Sequence, residues 1–316
     1  MRLHEVPMNR SATPAPRLYP WQDRKGDFSP LKAFVFAGVF LPGLWLIVRA
    51  SMGTLGPRQM IEINHQAGLW AIRFLLLTLA VTPLRYVWRW PELVFVRRTL
   101  GNAAFAYVLI HLVAYAGDLA WDIPKVVSEL FARIYLTIGL MVLILLTPLA
   151  ITSTNGMMRR LGGIQWRRLH RLVYPIILLA ALHFFLQSKL GVTEPIVITA
   201  VAAWLLAWRL LAAWLGEARI ATLPATIGLG IAVTVATAFG EALYYYLKIG
   251  VAFGRVLPTN FNPAAGIRPA WIIGGMVLAV VAIAVLRRFL PSKASKRTDR
   301  RASTATRKPE EAGNAA

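Results

Sequence analysis

Cysteine does not occur anywhere in this chain of 316 residues. Disulfides, iron–sulfur clusters held by thiolates and the C-x-x-C-H attachment of c-type haem are thereby excluded, and histidine is left as the main candidate for a soft metal ligand. Acidic residues are few, 14 against 35 Lys and Arg, for a net charge of +21. None lies in the middle of an apolar run, which argues against a proton-coupled transporter or ion pump built on a buried carboxylate relay. There is no G-x-G-x-x-G, no Walker sequence and no polar segment long enough to fold around a dinucleotide, so any electrons the chain handles come from elsewhere. No internal repeat stands out, so the inverted-repeat signature of many transporters is missing.

What the chain does have is oil. Hydrophobic residues make up 57% of it, charged residues only 16%, and mean hydropathy is +0.56, a composition of membrane proteins rather than soluble domains. A spanning helix needs about 20 mostly apolar residues, and eight stretches supply them: 32–50, 66–84, 100–117, 134–151, 169–187, 195–214, 223–240 and 270–287. Basic residues gather in short clusters between these runs, a pattern of membrane topology rather than of nucleic-acid binding. Arg85, Arg89, Arg97 and Arg98 follow span two; Arg159, Arg160, Arg167, Arg168 and Arg171 follow span four. The alternate loops are poorer in them and carry Glu62, Asp118, Asp122, Glu129 and Glu194. With a basic N-terminal arm and tail, the positive-inside rule predicts an even number of spans and both termini in the cytoplasm. The expected fold is an all-α polytopic membrane helix bundle. The arm, residues 1–31, reads as disordered and leads into an uncleaved first span, because a secretory signal has its apolar region much earlier. The tail, 291–316, has too few large apolar residues to bury a core.

Three histidines stand out. His111 lies in "AFAYVLIHLVAY" of span three, about 20 Å from the Arg97–Arg98 edge at 1.5 Å per residue. His183 follows Arg171 by twelve residues in a span running the same way and reaches a similar depth. At equal depth on separate spans, the two form a candidate bis-imidazole site for haem iron. His170 lies near the inner edge, about 20 Å from His183 on a straight helix and some 140° away in phase. Pro175, between them, is a candidate kink. His65, in "IEINHQAGLW", is interfacial and a possible spare ligand; His4 belongs to the arm. Arg73, in "GLWAIRFLLL", is either snorkelling to the outer surface or pairing with a haem propionate. The stretch "TSTNGMMRRLGGIQWRRLHRL" is a positive-inside anchor with a Trp belt, or an anion surface for a flavin phosphate or an electron donor.

Several motifs in order, "LLLTLAVTPLR", "RRTLGNAAFAYVLIHLVAY", "RIYLTIGL", "ITSTNGMMRRLGGIQWRRLHRLVY" and "LHFFLQSK", closely resemble the MsrQ (YedZ) family. Its members are haem-binding membrane subunits of bacterial methionine sulfoxide reductase systems, with a ferric-reductase-like transmembrane domain also found in NADPH oxidases. The resemblance runs from about Phe34 to about Leu211. It implies a six-helix domain over 32–215 holding one or two haems b, with His111, His170 and His183 as axial ligands, in the bacterial inner membrane. It further implies electrons drawn from the quinone pool or a cytosolic flavin reductase and passed to a periplasmic molybdopterin subunit, MsrP, which repairs oxidised proteins. FMN is implied by the resemblance alone, and no motif places it. NADPH-oxidase relatives carry two histidines on each of two helices, whereas Arg97 and Arg98 stand near the inner end of span three. The two spans within 216–290 and the basic tail have no counterpart in the pattern. Two alternatives from other classes are a haem-free transporter or scaffold, and a self-contained ferric or superoxide-type reductase. The second should carry flavin and nicotinamide domains after the last haem helix, where this chain has two spans and a polar tail.

Overall fold

The computed structural model of the protein describes residues 19–23, 25–188 and 191–289. The arm up to Leu18 and the tail from Leu290, both expected to be disordered, lie outside the described residues. Those described are all-α apart from an isolated bridge, Gln22 to Phe28, so the described end of the 1–31 arm is folded where disorder was expected. In order the helices are α1 (Pro30–Gly38), α2 (Leu41–Ser51), α3 (Gln59–Val87), α4 (Arg97–Asp118), α5 (Ile123–Ala132), α6 (Ile134–Ile151), α7 (Asn155–His170), α8 (Val173–Gln187), α9 (Thr193–Leu215), α10 (Glu217–Ile220), α11 (Leu223–Ile249), α12 (Phe253–Val256) and α13 (Pro269–Phe289), with 3-10 turns between some of them. Seven of the described segments are long and apolar enough to cross a membrane, and an eighth forms if α7 and α8, bent by 40°, count as one.

The axis of the bundle is α3. At about 1.5 Å per residue its 29 residues exceed the ~30 Å hydrocarbon core, and one stretch of it is buried nearly all round, including Ala67, Leu75 and Leu79. It lies against α4, where Ala103 and Ala104 bring the backbones close, and against Ile176 and Ile177 of α8. With no water in the bilayer, interhelical contact depends on such close packing and on satisfied backbone groups.

Two predicted spans are broken. The first, 32–50, splits between α1 and α2, four residues before Pro42, which has no N–H for the Gly38 carbonyl, and there the Tyr107 hydroxyl enters the helical ladder. It donates to the Val39 carbonyl at 3.0 Å and accepts from the Gly43 N–H at 2.7 Å, two groups that would otherwise bond to each other. The fifth, 169–187, breaks at Arg171 and Leu172, so His170 ends α7 and only His183 belongs to α8. Pro175 accounts for the bend: in a continuous helix its ring would clash with the Arg171 carbonyl four residues back and no N–H would bond that group, so the helix breaks there and restarts with Pro175 in the first turn of α8.

A third expectation fails at Glu241. The apolar run stops at Gly240, but α11 continues to Ile249 and carries Glu241 fully buried inside a spanning helix. Its carboxylate lies 3.5 Å from Arg268, whose guanidinium also donates to Thr259. The Trp271 indole donates to the Asn260 carbonyl. These bonds clamp the segment joining α11 to α13 onto α11. Below the clamp, Ile273 and Val277 of α13 pack on Ala200 of α9 and Val233 of α11.

Candidate functional site

The end of the bundle away from the arginine clusters opens into a cavity walled by α3, α4, α6 and α8. Its depth is apolar, with Ile72, Leu75, Val142 and Leu146; its rim is polar, with Asn64, Tyr115, Tyr135 and Gln187. The cavity therefore suits an apolar ligand with a polar edge.

His111 enters from α4 and His183 from α8. Their ring centroids are 6.2 Å apart and the ring planes are nearly perpendicular, at 89°. His111 Nδ1 lies 2.8 Å from the Asn64 carbonyl and His183 Nδ1 lies 2.7 Å from the Tyr135 carbonyl. A carbonyl only accepts, so each Nδ1 carries the proton and donates it, and each Nε2 keeps its lone pair for a metal. A metal ion about 2 Å from each of two such nitrogens would set the ring centroids roughly 6 Å apart, and the observed 6.2 Å fits that. Among the described residues no three His, Cys, Asp or Glu side chains converge on one point. Two imidazoles alone leave a metal incomplete, whereas a macrocycle supplying its own in-plane donors needs only these two.

Two glycines make room for the rings. A Cβ on Gly68 of α3 would stand 2.8 Å from His111 Nδ1, and one on Gly139 of α6 would stand 3.0 Å from His183 Cε1. Asn64 grips His111 a second time, its Nδ2 donating to the His111 carbonyl at 2.9 Å. Sequence reasoning missed Gly68, Gly139 and Asn64. The available signal was a small or amide residue inside each of two spans, "INHQAGLW" and "YLTIGLM".

The other predicted residues are placed apart. His65 lines the same cavity at its exposed rim. Arg73 does not reach it: the guanidinium pairs with Glu194 of α9 at 3.2 Å, lies over the Trp70 ring and lines a different cavity on the far face of α3. His170 stands toward the arginine-rich end, stacked on Trp166 with centroids 3.8 Å apart. Its Nδ1 donates to the Trp166 carbonyl at 3.0 Å, while its buried Nε2 has no hydrogen-bond partner among the described residues. Trp166, read as an interfacial belt residue, donates its indole N–H to the Thr152 carbonyl at 3.0 Å and so fixes the ring on which His170 rests.

Comparison with known proteins gives a consistent picture. A family model described as "Ferric reductase like transmembrane component" matches residues 67–181, from α3 into α8. A curated protein of Rhodospirillum rubrum, named protein-methionine-sulfoxide reductase heme-binding subunit MsrQ, is 42% identical over 180 residues, covering 57% of this chain and 86% of that protein. Proteins of the same name from Caulobacter vibrioides and Xanthomonas oryzae pv. oryzae are 42% and 45% identical, covering 55% and 52% of this chain and 84% and 76% of their own lengths. No solved structure matches the chain.

Proposed function

The chain belongs to the MsrQ family of haem-binding subunits of protein-methionine-sulfoxide reductases, and on that premise we propose that it is a b-type haem electron carrier with His111 and His183 as axial ligands. The observation that carries this reading is the facing pair of imidazoles, each with Nδ1 committed to a backbone carbonyl and Nε2 free. Haem b held there supplies one-electron redox chemistry.

The chain's own residues position and insulate that chemistry. The Asn64 and Tyr135 carbonyls fix the tautomer of each ring and increase its electron donation, which favours the oxidised metal. Gly68 and Gly139 let each ring lie against a neighbouring helix. The apolar depth of the cavity excludes water, and the rim of Asn64, Tyr115, Tyr135 and Gln187 leaves polar groups for a charged ligand edge. At the other end, His170 is proposed as the protein ligand of a second haem; its buried, unpartnered Nε2 supports this.

The arginine-rich end faces the cytoplasm in this reading, with both termini there and the chain in the bacterial inner membrane. Electrons come from a membrane quinone or a cytosolic flavin reductase, for whose anionic surface or FMN phosphate Arg159, Arg160, Arg167 and Arg168 of α7 offer guanidinium groups. The acceptor is a periplasmic MsrP-like molybdopterin subunit. Reducing one methionine sulfoxide takes two electrons and two protons and releases water, so a one-electron carrier delivers twice per turnover.

The purified chain from haem-replete cells should show a reduced-minus-oxidised spectrum of low-spin haem b. His111→Ala and His183→Ala should each remove the signal of this site. Normal haem content in both variants rejects the assignment, and a colourless wild-type preparation rejects the function.

A further inference from the structure

On the face of α3 opposite the histidine cavity lies a second cavity of about 690 Å³, walled by α3, α9 and α13. Leu69 lines both cavities, so one helix separates them. Its walls are apolar along most of the membrane segment of α3, with Leu76, Ala80 and Leu84 facing Val201 of α9 and Met276 and Ile283 of α13.

The slot exists because α13 meets the rest of the bundle at two separate places. At the arginine-rich end Trp88 Nε1 donates to the Val280 carbonyl and Arg287 Nε donates to the Trp88 carbonyl, both at 3.0 Å. Higher up, Ile273 and Val277 turn to α9 and α11, so α13 stands off from α3 and leaves a seam between them in which Leu77 of α3 is exposed.

At the other end of the slot is the Arg73–Glu194 pair, 3.2 Å apart, with 37% and 49% of the two side chains exposed. The pair sits at the lip of an apolar surface that faces lipid. The pair is joined by one contact, Arg73 Nη2 to Glu194 Oε1, which leaves further guanidinium N–H groups and the second carboxylate oxygen for a ligand. The guanidinium donates in a fork suited to phosphate oxygens, and the carboxylate accepts from an ammonium. A phosphoethanolamine headgroup carries both, joined by a two-carbon link.

We propose that this slot binds one phospholipid with a zwitterionic phosphoethanolamine headgroup, its phosphate on Arg73, its ammonium on Glu194 and an acyl chain between α3, α9 and α13. The lipid fills the seam between the histidine-bearing helices and the two added helices. The inference stands apart from the proposed redox role, since it rests on none of the three histidines.

The test is native mass spectrometry of the full chain released from membranes, through exhaustive detergent exchange, with haem absorbance measured on the same samples. Wild type should retain one phosphatidylethanolamine per chain. Ala279→Phe, which fills the slot from its exposed wall, and Glu194→Gln, which removes the ammonium acceptor, should each lower retention about tenfold, with haem absorbance kept as the sign of a folded core. Two variants are used so that a folding defect in one leaves the other decisive. No retained lipid, undiminished retention in a folded variant, or an anionic phospholipid or isoprenoid quinone as the retained species overturns the proposal.

Discussion

Gly68 and Gly139 fit their places because the atoms nearest to them are imidazole atoms. A methyl at Gly68 would stand 2.8 Å from His111 Nδ1, closer than packed atoms tolerate, and would compete with the bond from that nitrogen to Asn64. Gly68→Ala should therefore tilt the ring, lower haem occupancy and shift the midpoint potential. Gly38→Ala, whose added methyl meets nothing within 4 Å, should do neither; pyridine haemochrome assays and redox titration of the two variants check this. At this scale the depth of His111 and His183 was legible, because the rise along a helix converts sequence separation into height. Azimuth was not. Arg73 was read as snorkelling or as a propionate partner, and its pairing with Glu194 on the far face of α3 was not foreseen, since which face of a buried helix meets which neighbour is fixed by packing that no single segment encodes. The two glycines were visible as small residues within spans, but only the arrival of a ring from another helix gives them a function.

Both helix breaks lie four residues before a proline, Pro42 and Pro175, and at the first a side chain from another helix completes the broken ladder. The Tyr107 hydroxyl, on α4, stands between the Val39 carbonyl and the Gly43 N–H. Tyr107→Phe leaves both groups unpaired in a medium without water, a loss of about 1–3 kcal/mol, unless α1 and α2 close into one helix and recover the bond. Thermal unfolding in detergent should show the loss. Glu241 is the converse case, a helix that continues where hydropathy ends. Its carboxylate is tolerated because Arg268 returns to it from a loop 27 residues later in the chain. Arg268→Gln leaves a buried, uncompensated carboxylate and should destabilise the chain by about 3–5 kcal/mol, while the double variant Glu241→Met with Arg268→Leu recovers most of that. Chemical denaturation of the three proteins measures it. Neither feature was visible to a reading that slides a window along the sequence, because both bonds join segments far apart in the chain.

Over the whole molecule the basic clusters at one end and the facing histidines toward the other define a direction, with His170 standing alone near the arginine-rich end. The all-α membrane architecture and the run of spanning helices were legible from hydropathy alone. The bend between α7 and α8 was legible from Pro175 rather than from hydropathy, and it matters most for His170, which ends a helix at the arginine-rich end instead of sharing a straight axis with His183. The central claim is that His111 and His183 bind one haem iron from opposite sides, and the 89° between their rings makes it specific. Perpendicular axial imidazoles give ferric haem a highly anisotropic low-spin signal, whereas parallel ones give a rhombic signal. Low-temperature electron paramagnetic resonance of the oxidised full chain tests the claim directly. The expected result is a highly anisotropic low-spin signal that disappears in His183→Ala. A spectrum with only rhombic or high-spin signals, or one unchanged by that substitution, contradicts it.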